Sequence, residues 1–227
     1  MGLTVPLVEI FTSVQGEGKY VGCRQIFVRL ADCNLRCAYC DTDFSCRDQI
    51  SIEKLIDEIK KMMSEAPIHS ISLTGGEPLL HVDVIRALAE ELSGVKIFLE
   101  TNGTMAAELE RVIDVIDIVS MDIKLPRVIG KNLFDAHRRF LEIARRKDLY
   151  VKIVVDGETT EEEFLSAVEM IAGVSKEILL VMQPVTVVKK NIRAVRAADL
   201  LKYQSMALKI LSDVRIIPQT HRIIELP

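Results

Sequence analysis

Residues 69–100 read HSISLTGGEPLLHVDVIRALAEELSGVKIFLE. Residues 69–74 read as a strand, Thr74-Gly-Gly-Glu-Pro78 as a turn, 82–93 as a helix with apolar residues at helical spacing, and 95–100 as a second strand. A strand, a helix and a strand in succession form one βαβ unit, and such units imply a mainly parallel sheet with right-handed crossovers.

The same alternation extends both ways. Toward the C-terminus it predicts a helix over 105–114, a strand over 116–121, a helix over 131–147 and a strand over 150–155. A helix over 160–172, a strand over 177–182 and a helix over 190–210 follow. Toward the N-terminus, Ser51 can cap a helix whose apolar residues Ile52, Leu55, Ile56, Ile59 and Met63 recur at helical spacing. Residues 3–11 and 25–30 read as strands from their β-branched and aromatic content. Counting from residue 25 gives six strand–helix units. That is too few to close an eightfold barrel, so the expected fold is α/β, a partial (βα)6 TIM-like barrel with ligands at the C-terminal ends of its strands. The strand at 3–11 and the stretch 213–217 are expected to add to its edges. Residues 1–227 read as a single domain, because no Pro-, Gly- or Ser-rich linker divides them.

A chain of 227 residues that is 49% hydrophobic can bury a substantial core. Its apolar runs are too short to cross a bilayer, and no basic segment followed by an apolar one opens it, so the expected location is the cytoplasm. The net charge of −4 comes from interspersed acids and bases, which argues against a nucleic-acid surface. The basic run of Lys189, Lys190, Arg193 and Arg196 reads as a solvated helix face.

Three of the five cysteines fall in Cys33-Asn-Leu-Arg-Cys37-Ala-Tyr-Cys40, a C-x3-C-x2-C spacing. A disulfide framework belongs to small oxidised domains and fits this chain poorly. Structural zinc needs four closed ligands, and the nearest candidates for a fourth are Cys46 and Cys23. An iron–sulfur cluster on three thiolates leaves one iron open to a ligand.

With Tyr39 just before its last cysteine, the triplet resembles the radical S-adenosylmethionine enzymes. The resemblance implies a 4Fe-4S cluster held by Cys33, Cys37 and Cys40, whose remaining iron is chelated by the methionine part of S-adenosylmethionine, and it implies a barrel of the radical SAM type. It assigns cofactor contacts to Tyr39, to Gly76 and Glu77 after the second core strand, to Ser120, Asp122 and Lys124 at the end of the fourth, and to Gln183 at the end of the sixth. Taken singly, each of these stretches is ordinary turn and cap chemistry, with Glu77 as a first-turn acid favoured by the helix dipole.

Ser13-Val-Gln-Gly-Glu-Gly18, Phe27-Val-Arg-Leu30, Cys40-Asp-Thr42, Glu100-Thr-Asn-Gly103 and Pro218-Gln-Thr-His-Arg-Ile-Ile-Glu-Leu-Pro227 together resemble the 7-carboxy-7-deazaguanine synthase family. That resemblance implies a radical ring contraction of 6-carboxy-5,6,7,8-tetrahydropterin, begun by removal of a hydrogen from C6 and ending with loss of ammonia, in queuosine- or archaeosine-type biosynthesis. It implies substrate contacts from Val14, Gln15, Gly16, Glu17, Arg29, Thr74, Glu100 and His221, and from Pro227 through the terminal carboxylate. It also implies magnesium on Thr42, a flavodoxin- or ferredoxin-like electron donor, and a homodimer, with no nucleic-acid or membrane partner. Residue chemistry agrees: the Arg29 guanidinium offers a planar fork to a carboxylate, and Thr42 a hard oxygen of the kind magnesium prefers. Cys23 and Cys46 read as free packing thiols. Two other readings stand beside this one. A radical activating enzyme would act on a glycine of a large partner protein and would not need the pterin-directed residues at both ends. A zinc-binding interaction module would have no use for the Gly-Gly-Glu-Pro turn.

Overall fold

In the computed structural model, which describes residues 2–38, 40, 48–187 and 192–226, Ser51 starts the first helix: its hydroxyl accepts the Lys54 N–H at 3.3 Å. Helix α1 (Ile52–Glu65) then buries Ile52, Leu55, Ile56 and Ile59. Each such side chain contributes about 1.5–3 kcal/mol through burial. The remaining helices are α2 (Val82–Glu91), α3 (Ala106–Val112), α4 (Pro126–Ile129), α5 (Phe134–Ala144), α6 (Glu161–Val174), α7 (Ala197–Ala207) and α8 (Thr220–Ile223). Helix α6 begins with a reciprocal capping box between Thr160 and Glu163.

The strands are β1 (Thr4–Val14), β2 (Arg24–Leu30), β3 (Asp48–Ser51), β4 (Ser70–Gly75), β5 (Lys96–Thr101), β6 (Ile118–Ile123), β7 (Asp148–Val155), β8 (Leu179–Pro184) and β9 (Val214–Ile216). Among the described residues they form one sheet in the order β3-β1-β2-β4-β5-β6-β7-β8-β9. Strand β2 and strands β4 to β9 run parallel, while β1 and β3 are antiparallel additions. The sheet is not closed, so the partial barrel expected from six strand–helix units is the observed architecture.

Strands β1 and β9 add to the two sides of the parallel core as expected, with the short β3 paired outside β1. Two expectations shift. The helix expected over 131–147 contracts to α5, and α4 precedes it, ending at Gly130 in the left-handed conformation (φ 72°). The helix expected from 190 starts at Ala197, because Ile192 is buried and the Arg193 carbonyl accepts the Gly157 N–H at 2.8 Å. Arg193 and Arg196 are exposed ahead of that helix; Lys189 and Lys190 lie outside the described residues.

Strand alternation divides the side chains between two environments. One set packs under the helices in the main core, among them Ile71, Leu73, Leu99, Val119, Met121, Ile123, Val151 and Ile153. The other set faces the barrel interior. Its lower layer is apolar: Phe98, Ile118, Tyr150, Leu179 and Val181 form a separate buried cluster, with Tyr20 packed on it. The next inward positions, Glu100, Ser120, Lys152 and Gln183, are polar. The β1–β2 connection crosses the N-terminal ends of the parallel strands, where Tyr20 donates to Asp148, the first residue of β7. Gly18 (φ 67°) is required there, since a Cβ would stand 2.2 Å from the Tyr150 ring.

Candidate active site

The inward polar layer opens into a cavity of about 850 Å³, toward the upper end of the ~300–1,000 Å³ range of ligand pockets. Cys33, Cys37 and Cys40 line one end of it. Burial pushes the Cys33 thiol above its ordinary pKa and the Cys37 thiol up to about 11, against the pull of Lys124. A charge on Cys40 raises Cys33, and charges on Cys33 and Cys40 raise Cys37, so the three are near neighbours. Among the described residues no three His, Cys, Asp or Glu side chains are grouped tightly around a single metal ion. Cys23 is half-buried and does not line the cavity, and Cys46 lies outside the described residues.

Two turns hold the start of the cysteine loop. Gly76 N donates to Leu30 O at 2.9 Å and Glu77 N to Asp32 O at 2.8 Å. A Cβ on Gly76 would lie 1.5 Å from Asp32 O, so only glycine permits this approach. Asn102 Nδ2 donates to Asn34 Oδ1 at 2.7 Å, which ties the loop to the end of β5.

Glu77 corrects an expectation. Its carboxylate is fully buried and does not line the cavity. Oε1 accepts from Leu79 N at 3.2 Å and from Thr101 Oγ1 at 2.8 Å, and Oε2 accepts from Asn102 N at 2.8 Å. Burial pushes its pKa up to about 7, against these donors and Lys124. The carboxylate is therefore a staple behind the wall, and Gly75 and Gly76 are what the turn presents to a ligand.

Ser120, Asp122 and Lys124 all line the cavity, while Met121 and Ile123 point into the core. Lys124 Nζ lies 2.9 Å from Asp122 Oδ2. Asp122 Oδ1 and, two strands away, Gln183 Oε1 are buried without a hydrogen-bond partner among the described residues. Two buried acceptors in want of donors fit the hydroxyls and amines of a nucleoside cofactor. The three thiols supply the soft donors of an iron–sulfur cluster. The residues present thus fit both groups.

The deeper part of the cavity is organised around Glu100. Gln15 Nε2 donates to its Oε1 at 2.8 Å, Ser72 Oγ to Oε1 at 3.3 Å, and Thr74 Oγ1 to Oε2 at 3.1 Å. Gln15 Nε2 also reaches Gln25 Oε1 at 3.0 Å, and Gln15 Oε1 accepts the Glu17 N–H. Gln15 lines the cavity, and its side-chain amide orients Glu100. A bulge in β1 between Leu7 and Glu9 turns both Val8 and Glu9 to the cavity. Glu9 Oε1 accepts from Arg29 Nε at 2.7 Å, and the guanidinium lies 5.7 Å from the Phe11 ring centroid. Val14, Gly16, Glu17 and His221 line the same cavity. The His221 ring packs on Gly16, where a Cβ would stand 2.0 Å from Nδ1. Tyr39, Thr42 and Pro227 lie outside the described residues.

Lys152, Gln25, Ser72 and Gln219 were not picked out from sequence. The available signal was a lysine in the middle of the apolar strand Tyr150-Val-Lys-Ile-Val-Val155, whose inward neighbours are site positions.

A family model for the radical SAM superfamily matches residues 28–171. The 7-carboxy-7-deazaguanine synthase of Geobacter sulfurreducens is 41% identical over 95% of each chain. This chain belongs to the 7-carboxy-7-deazaguanine synthase family of radical SAM enzymes. The synthase of Methanothermobacter thermautotrophicus is 36% identical over 97% of each chain. The crystal structure of QueE from Escherichia coli shares the fold with a TM-score of 0.64 at 22% identity, covering 96% of this chain and 95% of that one. Membership brings a 4Fe-4S cluster and S-adenosylmethionine as cofactors. No helix among the described residues is long and apolar enough to cross a membrane.

Proposed function

We propose that this chain converts 6-carboxy-5,6,7,8-tetrahydropterin to 7-carboxy-7-deazaguanine with loss of ammonia, within 7-deazapurine biosynthesis. The observation that carries the reading is the meeting of both chain ends inside the thiol-bearing cavity. Gln219 Nε2 donates to Glu17 Oε1 at 2.6 Å, and Thr220 N donates to Gly16 O at 2.8 Å. A wall in which these two segments meet beside the thiols suits a small molecule bound between them; an enzyme acting on a glycine of a large protein has no need of it.

When bound, the cluster and S-adenosylmethionine supply a radical able to take hydrogen from C6 of the pterin. The chain positions and encloses. Cys33, Cys37 and Cys40 would hold the cluster, and the Gly75–Gly76 backbone with Ser120, Asp122, Lys124 and Gln183 the cofactor. Glu100, set by three donors, is an acceptor for pterin N–H groups, as is Glu17. The Nη edge of Arg29 remains for the substrate carboxylate, since Glu9 takes Nε. Magnesium on Thr42, cofactor contact by Tyr39, substrate contact by Pro227, an electron donor of flavodoxin or ferredoxin type and a homodimer complete the proposal on the strength of the resemblance.

The deciding experiment is anaerobic reconstitution with iron and sulfide, reduction, and incubation with S-adenosylmethionine, magnesium and the pterin, followed by mass spectrometry. Formation of 7-carboxy-7-deazaguanine is expected; 5′-deoxyadenosine alone would turn the search toward a protein substrate. Arg29→Ala is expected to lower kcat/KM for the pterin by roughly 30- to 1,000-fold, the loss of a charge-assisted pair of about 2–4 kcal/mol. Uncoupled cofactor cleavage should stay within about twofold of wild type, within the ~0.3–0.5 kcal/mol scatter of a distant substitution. Equal losses in both assays would make Arg29 structural.

A further inference from the structure

One buried cation in the cavity has no part in the scheme above. Lys152, at the middle of β7, has a side chain only 7% exposed. Its ammonium donates to Glu17 Oε2 and lies 3.9 Å from Asp122 Oδ2. Burial opposes its charge, yet Glu17, Asp122 and Glu100 hold its pKa above the ordinary lysine range. Burial likewise opposes charge on Glu17, but Lys152, Gln219 and His221 pull that carboxyl down to about 2.

Lys152 thus stands where the substrate-side carboxylate of Glu17 meets the cofactor-side carboxylate of Asp122. Glu17 gives one oxygen to Lys152 and the other to Gln219. A carboxylate has about four lone-pair sites, so acceptor capacity remains for a ligand. Gln219 belongs to the segment whose Thr220 N and Oγ1 both donate to Gly16 O, at 2.8 and 3.1 Å. One ammonium therefore fixes the direction of Glu17, and Glu17 fixes the C-terminal segment against the Gln15–Gly18 turn. A buried ion pair adds little net stability compared with apolar residues of the same shape. Its effect here is geometric.

We propose that Lys152 is a positioning residue: it holds Glu17 as an aimed acceptor for the N–H donors of the substrate's 2-amino-4-oxopyrimidine edge, and through the Glu17–Gln219 contact it seats the C-terminal segment over that substrate. This rests on the pterin reading.

The test combines anaerobic calorimetric titration of the cluster-loaded enzyme with 6-carboxytetrahydropterin and amide hydrogen exchange of the same protein without pterin. Lys152→Met is expected to weaken pterin binding at least about 30-fold, the low end for breaking a buried charge pair. It should also speed exchange in residues 217–224 while peptides of β4 to β6 keep wild-type protection. Lys152→Arg should recover most of the affinity. Adding Glu17→Gln to Lys152→Met should cost less than about twofold more, because the two residues act as one unit. Wild-type affinity and slow 217–224 exchange in Lys152→Met would overturn the proposal, as would additive losses in the double variant. Should Lys152→Met fail to fold, Gln219→Ala carries the test: faster 217–224 exchange and weaker binding are expected, and no change in either overturns it. A wild type that bound no pterin would sink the functional reading, while the exchange arm would still decide whether Lys152 seats the segment.

Discussion

Cys37→Ala is expected to yield a folded protein that holds no 4Fe-4S cluster and forms no product. The backbone around Cys37 keeps its bonds in the variant, since Ala38 N donates to Val128 O and Cys40 N to Cys37 O. The lost thiol is half-buried and small, so the cost in folding stability should be about 1 kcal/mol. Cluster binding responds differently. Three thiolates divide the task of holding four irons, and two cannot fix a cube in one orientation. Turnover should fall below roughly 0.1% of wild type, which corresponds to about 4 kcal/mol or more of lost transition-state stabilisation. Cys23→Ala is the matched control, because that thiol lies away from the cavity; it should load iron and turn over as wild type does. Iron and sulfide per chain, the visible absorption of the cluster and product yield give three independent readings. Full iron loading with turnover in Cys37→Ala would refute the ligand set, and iron loss in Cys23→Ala would enlarge it.

The parts of this molecule that obey a short period were legible in advance. Helical and strand spacing defined six units and hence an open barrel, and a period of two explains why Ser120, Asp122 and Lys124 share one wall. Contacts between distant residues were not legible. Gln219 meets Glu17 across 202 positions, and Gln15 meets Glu100 across 85. No local pattern encodes either pair. Lys152 is hidden in the sequence for a related reason: a lysine in an apolar strand is indistinguishable by composition from one that reaches solvent at an edge. An acid after two glycines, as at Glu77, has the same sequence signature whether it caps a turn or contacts a substrate. Only burial separates the two, and Thr101 and Asn102 supply the donors that bury it. Strand β3 escaped notice because four residues after the cysteine loop are too few to show alternation.

Gly76→Ala should be the most damaging single methyl group that can be added to the site. The new Cβ would stand 1.5 Å from Asp32 O and 2.4 Å from the Asp32 carbonyl carbon. Neither backbone can yield cheaply. Gly76 N and Glu77 N are bonded to Leu30 O and Asp32 O, and Asp32 itself sits at a φ of 65°. Relief of the overlap must therefore break one or both of those bonds and move the residue next to Cys33. A stability loss of about 2–4 kcal/mol is expected from strain with a buried donor left unpaired. Cluster loading should fall with it, although no ligand has been changed. Gly94→Ala separates local contact from a general intolerance of alanine: Gly94 has a positive φ, 89°, which Gly76 lacks, but its Cβ would meet nothing within 4 Å. It should cost about 1 kcal/mol and leave iron content unchanged. Denaturant unfolding and iron analysis of both variants decide the matter. If Gly76→Ala were as stable as Gly94→Ala and loaded a full cluster, the Gly76–Asp32 approach could not be what holds the first cysteine in place, and the support of the loop would have to come from Asn102 and Asn34 alone.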